Sequence, residues 1–250
     1  MFHMSKSHIC NAFFSFLFFI VSQTVSAQVN ADSSNYKFAV LNLIKQFDQG
    51  IGEASRLHNG FAQNQYSSDI TGNVYLDDLD SWSTGSVDYD GETFEGVPML
   101  YDIYTDQVIV LLNSDNSSYR LVKDKVKGFD LRRRHFVRIP ESEEGIKSGF
   151  YEELYGGKSQ VVNKLEKILV STKGTAGMER YFSPVDDYQH YYIKKGSKYY
   201  NVSSLSSVLE VFSDKKKEIK QFIKESKLRF NALRESSLVE IARYYDRLTN

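Results

Sequence analysis

Gly85-Ser86-Val87-Asp88-Tyr89-Asp90-Gly91-Glu92-Thr93-Phe94-Glu95-Gly96 decides the fold. Two short stretches flank Asp90-Gly91, and Asp-Gly supplies the positive φ angles that a two-residue hairpin turn needs. The same pattern runs on. Met99-Leu100-Tyr101-Asp102-Ile103-Tyr104 follows Pro98, and Gln107-Val108-Ile109-Val110-Leu111-Leu112 is apolar at successive positions, as in a strand covered on both faces. Ser114-Asp115-Asn116-Ser117 turns the chain into Tyr119-Arg120-Leu121-Val122. Further strands are expected over 126–131, 135–139, 150–155 and 159–170, the last two joined by Gly156-Gly157. Residues 189–194 and 198–202 pair across Lys195-Gly196-Ser197. Hairpin follows hairpin with no helix between strands, so the pairing is antiparallel.

Outside residues 70–202 the apolar period is helical. Phe38, Leu41, Ile44 and Phe47 recur at a spacing of three over residues 36–50, before Gly50 and Gly52. Over 203–250, Leu205, Val208, Leu209 and Phe212 form one apolar stripe. Ser213 is placed to cap a second stretch with Ile219, Phe222 and Ile223, and a third carries Leu238, Ile241, Ala242, Tyr245 and Leu248. The fold class is α+β. An antiparallel β meander of about eight to eleven strands tends to curl or close, so a curved half-barrel or barrel with an N-terminal helix and C-terminal helices is expected, as one domain over 36–250.

The chain has 250 residues, 25% of them charged and 41% hydrophobic, which excludes a disordered or collagen-like chain. A formal charge of −1 argues against a general nucleic-acid binder. Residues 1–27 read as a secretory signal. Lys6 precedes the apolar run Phe13–Val21, and Val25-Ser26-Ala27 offers small side chains to a signal peptidase before Gln28. That run falls short of the about 20 residues needed to span a bilayer. Residues 28–35 are a polar leader. The one cysteine, Cys10, lies inside the signal. The exported chain is therefore expected to hold no disulfide, thiolate metal site or cysteine nucleophile, and no transmembrane span after cleavage. The address is the periplasm or cell envelope, or the extracellular space.

The minimum parts of each common chemistry are sparse. Gly157-Lys158-Ser159 looks like the end of a phosphate loop, but Glu152 stands where its first glycine belongs. There is no Gly-x-Ser-x-Gly elbow and no His-Glu-x-x-His helix. His58, His135 and His190 lack ligand spacing, and Asp77-Asp78-Leu79-Asp80 lacks the distal glutamate of a calcium loop. Arg132-Arg133-Arg134-His135 reads as a solvated turn, and Lys215-Lys216-Lys217 as a solvated helix face. Dispersed carboxylates such as Asp78, Asp80, Asp88 and Asp102 leave a carboxylate-based hydrolase as the least favoured reading. No cofactor and no metal are expected.

The aromatic content is the unusual feature: 17 Tyr, 17 Phe and one Trp. Tyrosine joins an apolar body to a polar tip, which suits a groove for an amphipathic ligand; ordinary cross-strand pairing is the alternative. Trp82, Tyr101, Tyr104, Tyr151 and Tyr155 are the candidate ligand-binding residues. The expected role is a non-enzymatic envelope protein that binds a lipid or acylated ligand in an aromatic-lined concavity. The alternative is a structural or interaction module whose partner is another envelope protein.

Several motifs recur in a familiar order: Leu57-His58-Asn59-Gly60 with Tyr66, then Gly85 to Gly91, Val97-Pro98-Met99-Leu100-Tyr101-Asp102-Ile103, Gly149-Phe150-Tyr151, Tyr191-Tyr192-Ile193 and Lys217 to Ile223. Together they resemble an uncharacterised family of exported proteins from Gram-negative bacteria. The resemblance implies an envelope or periplasmic address and carries over no activity, cofactor or catalytic residue.

Overall fold

The computed structural model describes residues 39–40, 42–43, 57, 60–63, 66–112, 117–174, 177–184 and 188–249. The expected signal (1–27) and leader (28–35) lie outside them. The chain divides into two units, Met1–Glu53 and Ala54–Asn250. In the first, Ala39, Val40, Asn42 and Leu43 have helical backbone; the rest of the expected 36–50 helix lies outside the described residues.

The second unit is mostly antiparallel sheet. Its strands are β1 (Phe61–Ala62), β2 (Ile70–Thr71), β3 (Ser83–Tyr89), β4 (Glu92–Asp102), β5 (Gln107–Leu112), β6 (Ser117–Arg120), β7 (Val126–Leu131), β8 (Arg134–Ile139), β9 (Gly149–Tyr155), β10 (Val161–Leu165), β11 (Leu169–Gly174), β12 (Gly177–Phe182), β13 (Gln189–Lys195) and β14 (Lys198–Asn201). Helices α1 (Leu205–Val211), α2 (Lys216–Glu225) and α3 (Arg234–Leu248) follow. Eleven strands form one open sheet in the order β1-β6-β5-β4-β3-β7-β8-β9-β10-β13-β14. A separate three-stranded sheet has the order β11-β12-β2.

The hairpin at Asp90-Gly91 forms as expected, with φ of 53° and 86° at the two turn residues. Beyond it Glu95 and Gly96 stand opposite Ser86, a bulge made possible by Gly96 at φ 68°. The extra residue resets the alternation, so Phe94, Val97, Met99 and Tyr101 all enter the same core. In β5, Val108, Ile109 and Val110 are all buried, so both faces of that strand are covered.

Four expectations need correction. The stretch 159–170 is two strands in different sheets: β10 ends at Leu165, and β11 starts at Leu169. Lys167 makes the break, because its ammonium turns inward to the carbonyl of Asn73 and to Asp78. Pairing is not wholly antiparallel, since β2 runs parallel to β12. Ser213 does not cap α2, which has no side-chain cap; Ser204 instead closes a capping box with Ser207 at the start of α1. Arg134 is half-buried rather than fully solvated. Arg132 and Arg133 take positive φ in the β7–β8 turn, and Arg134 then points inward, with Nε and Nη2 both 2.7 Å from the Glu152 carboxylate.

Two cores share one face of the large sheet. The first joins β3, β4, β5, β7, β8 and β9 through rings: Tyr101 lies 5.2 Å from Phe129, 5.1 Å from Phe136 and 6.2 Å from Phe150, centroid to centroid. The second seats α1, α2 and α3 on β10 and β13 through Val161, Tyr191 and Ile193, with Phe212 stacked on Tyr245 at 4.1 Å. A smaller cluster of Ile139, Tyr151, Val162 and Tyr199 occupies the opposite face of β8–β10 and β14. Tyr101 on β4 and Phe150 on β9 are four ladder steps apart. At about 4.8 Å per step a flat sheet would hold them about 19 Å apart, so the sheet is not flat.

Candidate functional site

The turn from β4 to β5 folds over the sheet face opposite the helices. Strand register sets the floor beneath it. Asn163 on β10 pairs with Glu152 on β9, so the next residue, Lys164, comes to lie over the Tyr151 ring, and Lys164 pairs with His190 on β13. Tyr151, Lys164 and His190 alternate with Phe150, Leu165 and Tyr191, which face the cores on the other side. The Tyr151–Lys164–His190 row, the turn residues Ile103, Tyr104 and Asp106, and Lys147, Ser148, Glu166, Lys167, Ile168 and Tyr192 enclose a cleft of about 530 Å³.

Asp106 organises this cleft. Its Oδ1 accepts from the Tyr101 hydroxyl at 2.6 Å and from Lys164 Nζ at 2.7 Å. Its Oδ2 accepts from Lys123 Nζ and, at 3.2 Å, from the Phe150 N–H. Gly149 makes room: a Cβ there would stand 2.7 Å from Asp106 Oδ2 and 3.0 Å from Lys164 Nζ. Burial pushes the Asp106 carboxyl up, but Lys164 and Lys123 more than offset it and hold the group below the usual carboxylate range. Burial pushes the Lys164 ammonium down, and Asp106 only partly restores it because Lys123 repels it. One carboxylate thus serves two ammonium groups. Lys164 also donates to the Phe150 carbonyl at 2.9 Å and lies over the Tyr151 ring.

The cleft is amphipathic. Tyr151 and Tyr192 meet edge to face at 5.8 Å, and the Tyr151 hydroxyl donates to the Lys147 carbonyl at 2.8 Å. Tyr104 is 40% exposed and packs against Phe182 at 5.2 Å. Beside these rings stand Lys147, Lys164 and the Glu166–His190 pair at 3.5 Å.

Of the five residues expected from sequence, Tyr104 and Tyr151 share this cleft. Tyr101 lies beneath it, fully buried with its ring faces occupied, and reaches the cleft through its hydroxyl on Asp106. Trp82 and Tyr155 lie elsewhere: Trp82 precedes β3, and Tyr155 ends β9 with its hydroxyl on Asp246 of α3. Sequence reasoning missed Asp106, which reads as an ordinary turn residue, and Lys164. The signal for Lys164 was a lysine inside the otherwise strand-forming Val161-Val162-Asn163-Lys164-Leu165, all five residues of which are buried.

A larger cleft of about 1000 Å³ lies between the β13–β14 hairpin, α1 and the end of α3. Its lysines already have partners: Lys195 with Asp214, Lys198 with Glu144, and Lys158 with the Thr249 carbonyl. The dispersed carboxylates do not converge. Asp78 pairs with Lys167, Asp80 accepts from Asn73, Asp88 from Thr93 and Asp102 from Tyr66, and none of the four lines either cleft. Among the described residues, no three His, Cys, Asp or Glu side chains converge as a metal site, and no helix is long and apolar enough to cross a membrane.

Comparison with protein-family models, curated proteins and solved structures found no match to this chain.

Proposed function

We propose that the protein is a non-enzymatic, exported binding protein of the bacterial envelope. In this reading its sheet rolls into an open half-barrel, and a small amphipathic ligand sits at the rim between the β4–β5 turn and strands β9, β10 and β13. The carrying observation is the juxtaposition of Tyr104, Tyr151 and Tyr192 with Lys147 and Lys164 around one cleft. Rings give an apolar guest its contact area, and the charged groups give its polar end a partner. The ring contacts of Tyr101 across four ladder steps support the rolled shape. The same rings fill the inside of the first core, which leaves the rim as the place for a guest.

Native mass spectrometry of protein purified without a delipidation step tests this reading. A bound small molecule, lost on Tyr151→Ala substitution, is the expected result. A clean apo mass, together with no uptake of added acyl amphiphiles, would overturn it.

A second reading, an interaction module for another envelope protein, is favoured by the small sheet. Among the described residues no strand pairs with the outer edge of β11, and Met178 on β12 is 67% exposed. A pull-down from envelope extract that recovers a partner with the native chain but not with Met178→Lys supports that role.

A further inference from the structure

Three features of the cleft bear on which end of an amphiphile it recognises; the argument rests on the binding role proposed above. First, Asp106 is shared by Lys123 and Lys164, whose side chains are 28% and 10% exposed, so this partly buried triad carries one uncompensated positive charge. Secondly, the neighbouring anions do not outnumber the cations. Glu166 stands in the cleft beside His190, Asp78 takes Lys167, and Asp102 accepts from the Tyr66 hydroxyl and the Thr105 N–H, so with Glu166 included the ammonium groups of Lys123, Lys147, Lys164 and Lys167 still exceed the carboxylates of Asp78, Asp106 and Glu166 by one. Thirdly, Lys147 is exposed at the mouth and has no ion-pair partner among the described residues, while its own carbonyl is held by the Tyr151 hydroxyl. A positive charge removed from water without a counter-ion is costly, and an anion delivered by a ligand relieves that cost.

We infer that the cleft selects an anionic head, a carboxylate or phosphate monoester, which docks between Lys164 and Lys147 while its acyl chain lies along Tyr104, Tyr151 and Tyr192. Ser148, also lining the cleft, offers a hydroxyl donor to the same head. Burial is what depresses the Lys164 ammonium, and a further anion beside it would act in the opposite direction, as Asp106 already does.

Isothermal titration of the purified protein with a set of probes, each below its micellar concentration, tests the inference. The probes are decanoate, decyl phosphate, decyltrimethylammonium and inorganic phosphate. Decanoate and decyl phosphate are expected to bind, and decyltrimethylammonium to bind at least about tenfold more weakly, the scale of one charged hydrogen bond. Lys164→Met is expected to weaken the anionic probes about tenfold or more. Lys147→Gln, at an exposed position that leaves the fold untouched, is expected to weaken them by a smaller factor and keeps the test valid if Lys164→Met fails to fold. Equal binding of the cationic and anionic amphiphiles, unchanged by Lys147→Gln, overturns the anion preference and leaves the amphipathic-ligand reading standing. Inorganic phosphate binding as tightly as decyl phosphate upholds the anion site and overturns the role of the chain. Failure of every probe overturns both.

Discussion

Lys164 Nζ and Asp106 Oδ1 meet at 2.7 Å although their elements are five ladder steps apart in the large sheet, from β4 across β3, β7, β8 and β9 to β10. The pair therefore does two things. It pins the β4–β5 turn to the far strands, and it sets the charge of the cleft that the turn covers. Removing the carboxylate should show both effects. Asp106→Asn leaves Lys123 and Lys164 facing each other in a partly buried site, and breaking such a pair costs about 3 kcal/mol. Because the folded pKa of Asp106 is depressed, its contribution is complete above the unfolded value of 3.8 and is lost as pH falls through the lower folded value. Urea unfolding should give a gap between native and variant protein that holds from neutral pH down to about pH 5 and closes in stronger acid. A gap that persists unchanged well below that range would mean that the carboxylate is not what stabilises the turn.

Gly149→Ala tests the same junction from the other side. The added methyl would stand 2.7 Å from Asp106 Oδ2 and 3.0 Å from Lys164 Nζ, on a residue at φ +154°. Either the carboxylate shifts or the β9 backbone does, and overpacking of this kind costs about 1–3 kcal/mol. Ser148→Ala, one residue away and exposed, serves as the control that should leave the unfolding midpoint in place. Equal midpoints for both variants would show that Asp106 does not rest against the glycine.

Most of the large sheet was legible because local turn chemistry wrote it. Asp90-Gly91, Gly156-Gly157 and Lys195-Gly196-Ser197 each mark a hairpin between neighbours in the sheet. What stayed hidden is non-local. The pairing of β3 with β7 joins Gly85 to Leu131 across a long stretch of chain, and no turn residue records it. The break at Lys167 was hidden for the same reason, since its cause is Asn73 and Asp78, remote in sequence. Of the aromatic residues singled out from composition, Tyr104 and Tyr151 line the cleft. The charges that give the cleft its sign depend on Asp106 reaching Lys164, which only the bend of the sheet brings about. Trp82 and Tyr155 share the composition signal but not the geometry.

Gly91→Val isolates the turn from packing. Gly91 has φ +86°, and nothing lies within 4 Å of a Cβ built there. The cost is then backbone strain alone, about 1–3 kcal/mol for a β-branched residue held in the left-handed region. Gly91→Asn, which tolerates that region better, should lose less. A thermal midpoint that is equal for both variants and the native chain would show that the β3–β4 hairpin does not need this turn.

Asp246 is the last contact that a single substitution can interrogate. It is 5% exposed on α3, and its carboxylate accepts from the Ser159 N–H at 3.0 Å to each oxygen and from the Tyr155 hydroxyl at 3.1 Å. It thus ties the C-terminal helix to the β9–β10 hairpin. Asp246→Ala orphans the buried Ser159 N–H, at about 1–3 kcal/mol for an unmet donor, and leaves the half-buried Tyr155 hydroxyl to water. Asp246→Asn keeps one acceptor oxygen and should recover part of that loss. Amide hydrogen exchange gives the sharper readout: Ser159 should lose protection in the alanine variant, and the N–H groups of β4 and β5, in the other core, should keep theirs. Uniform loss of protection across both cores would instead mean that the helices and the aromatic core unfold as one unit.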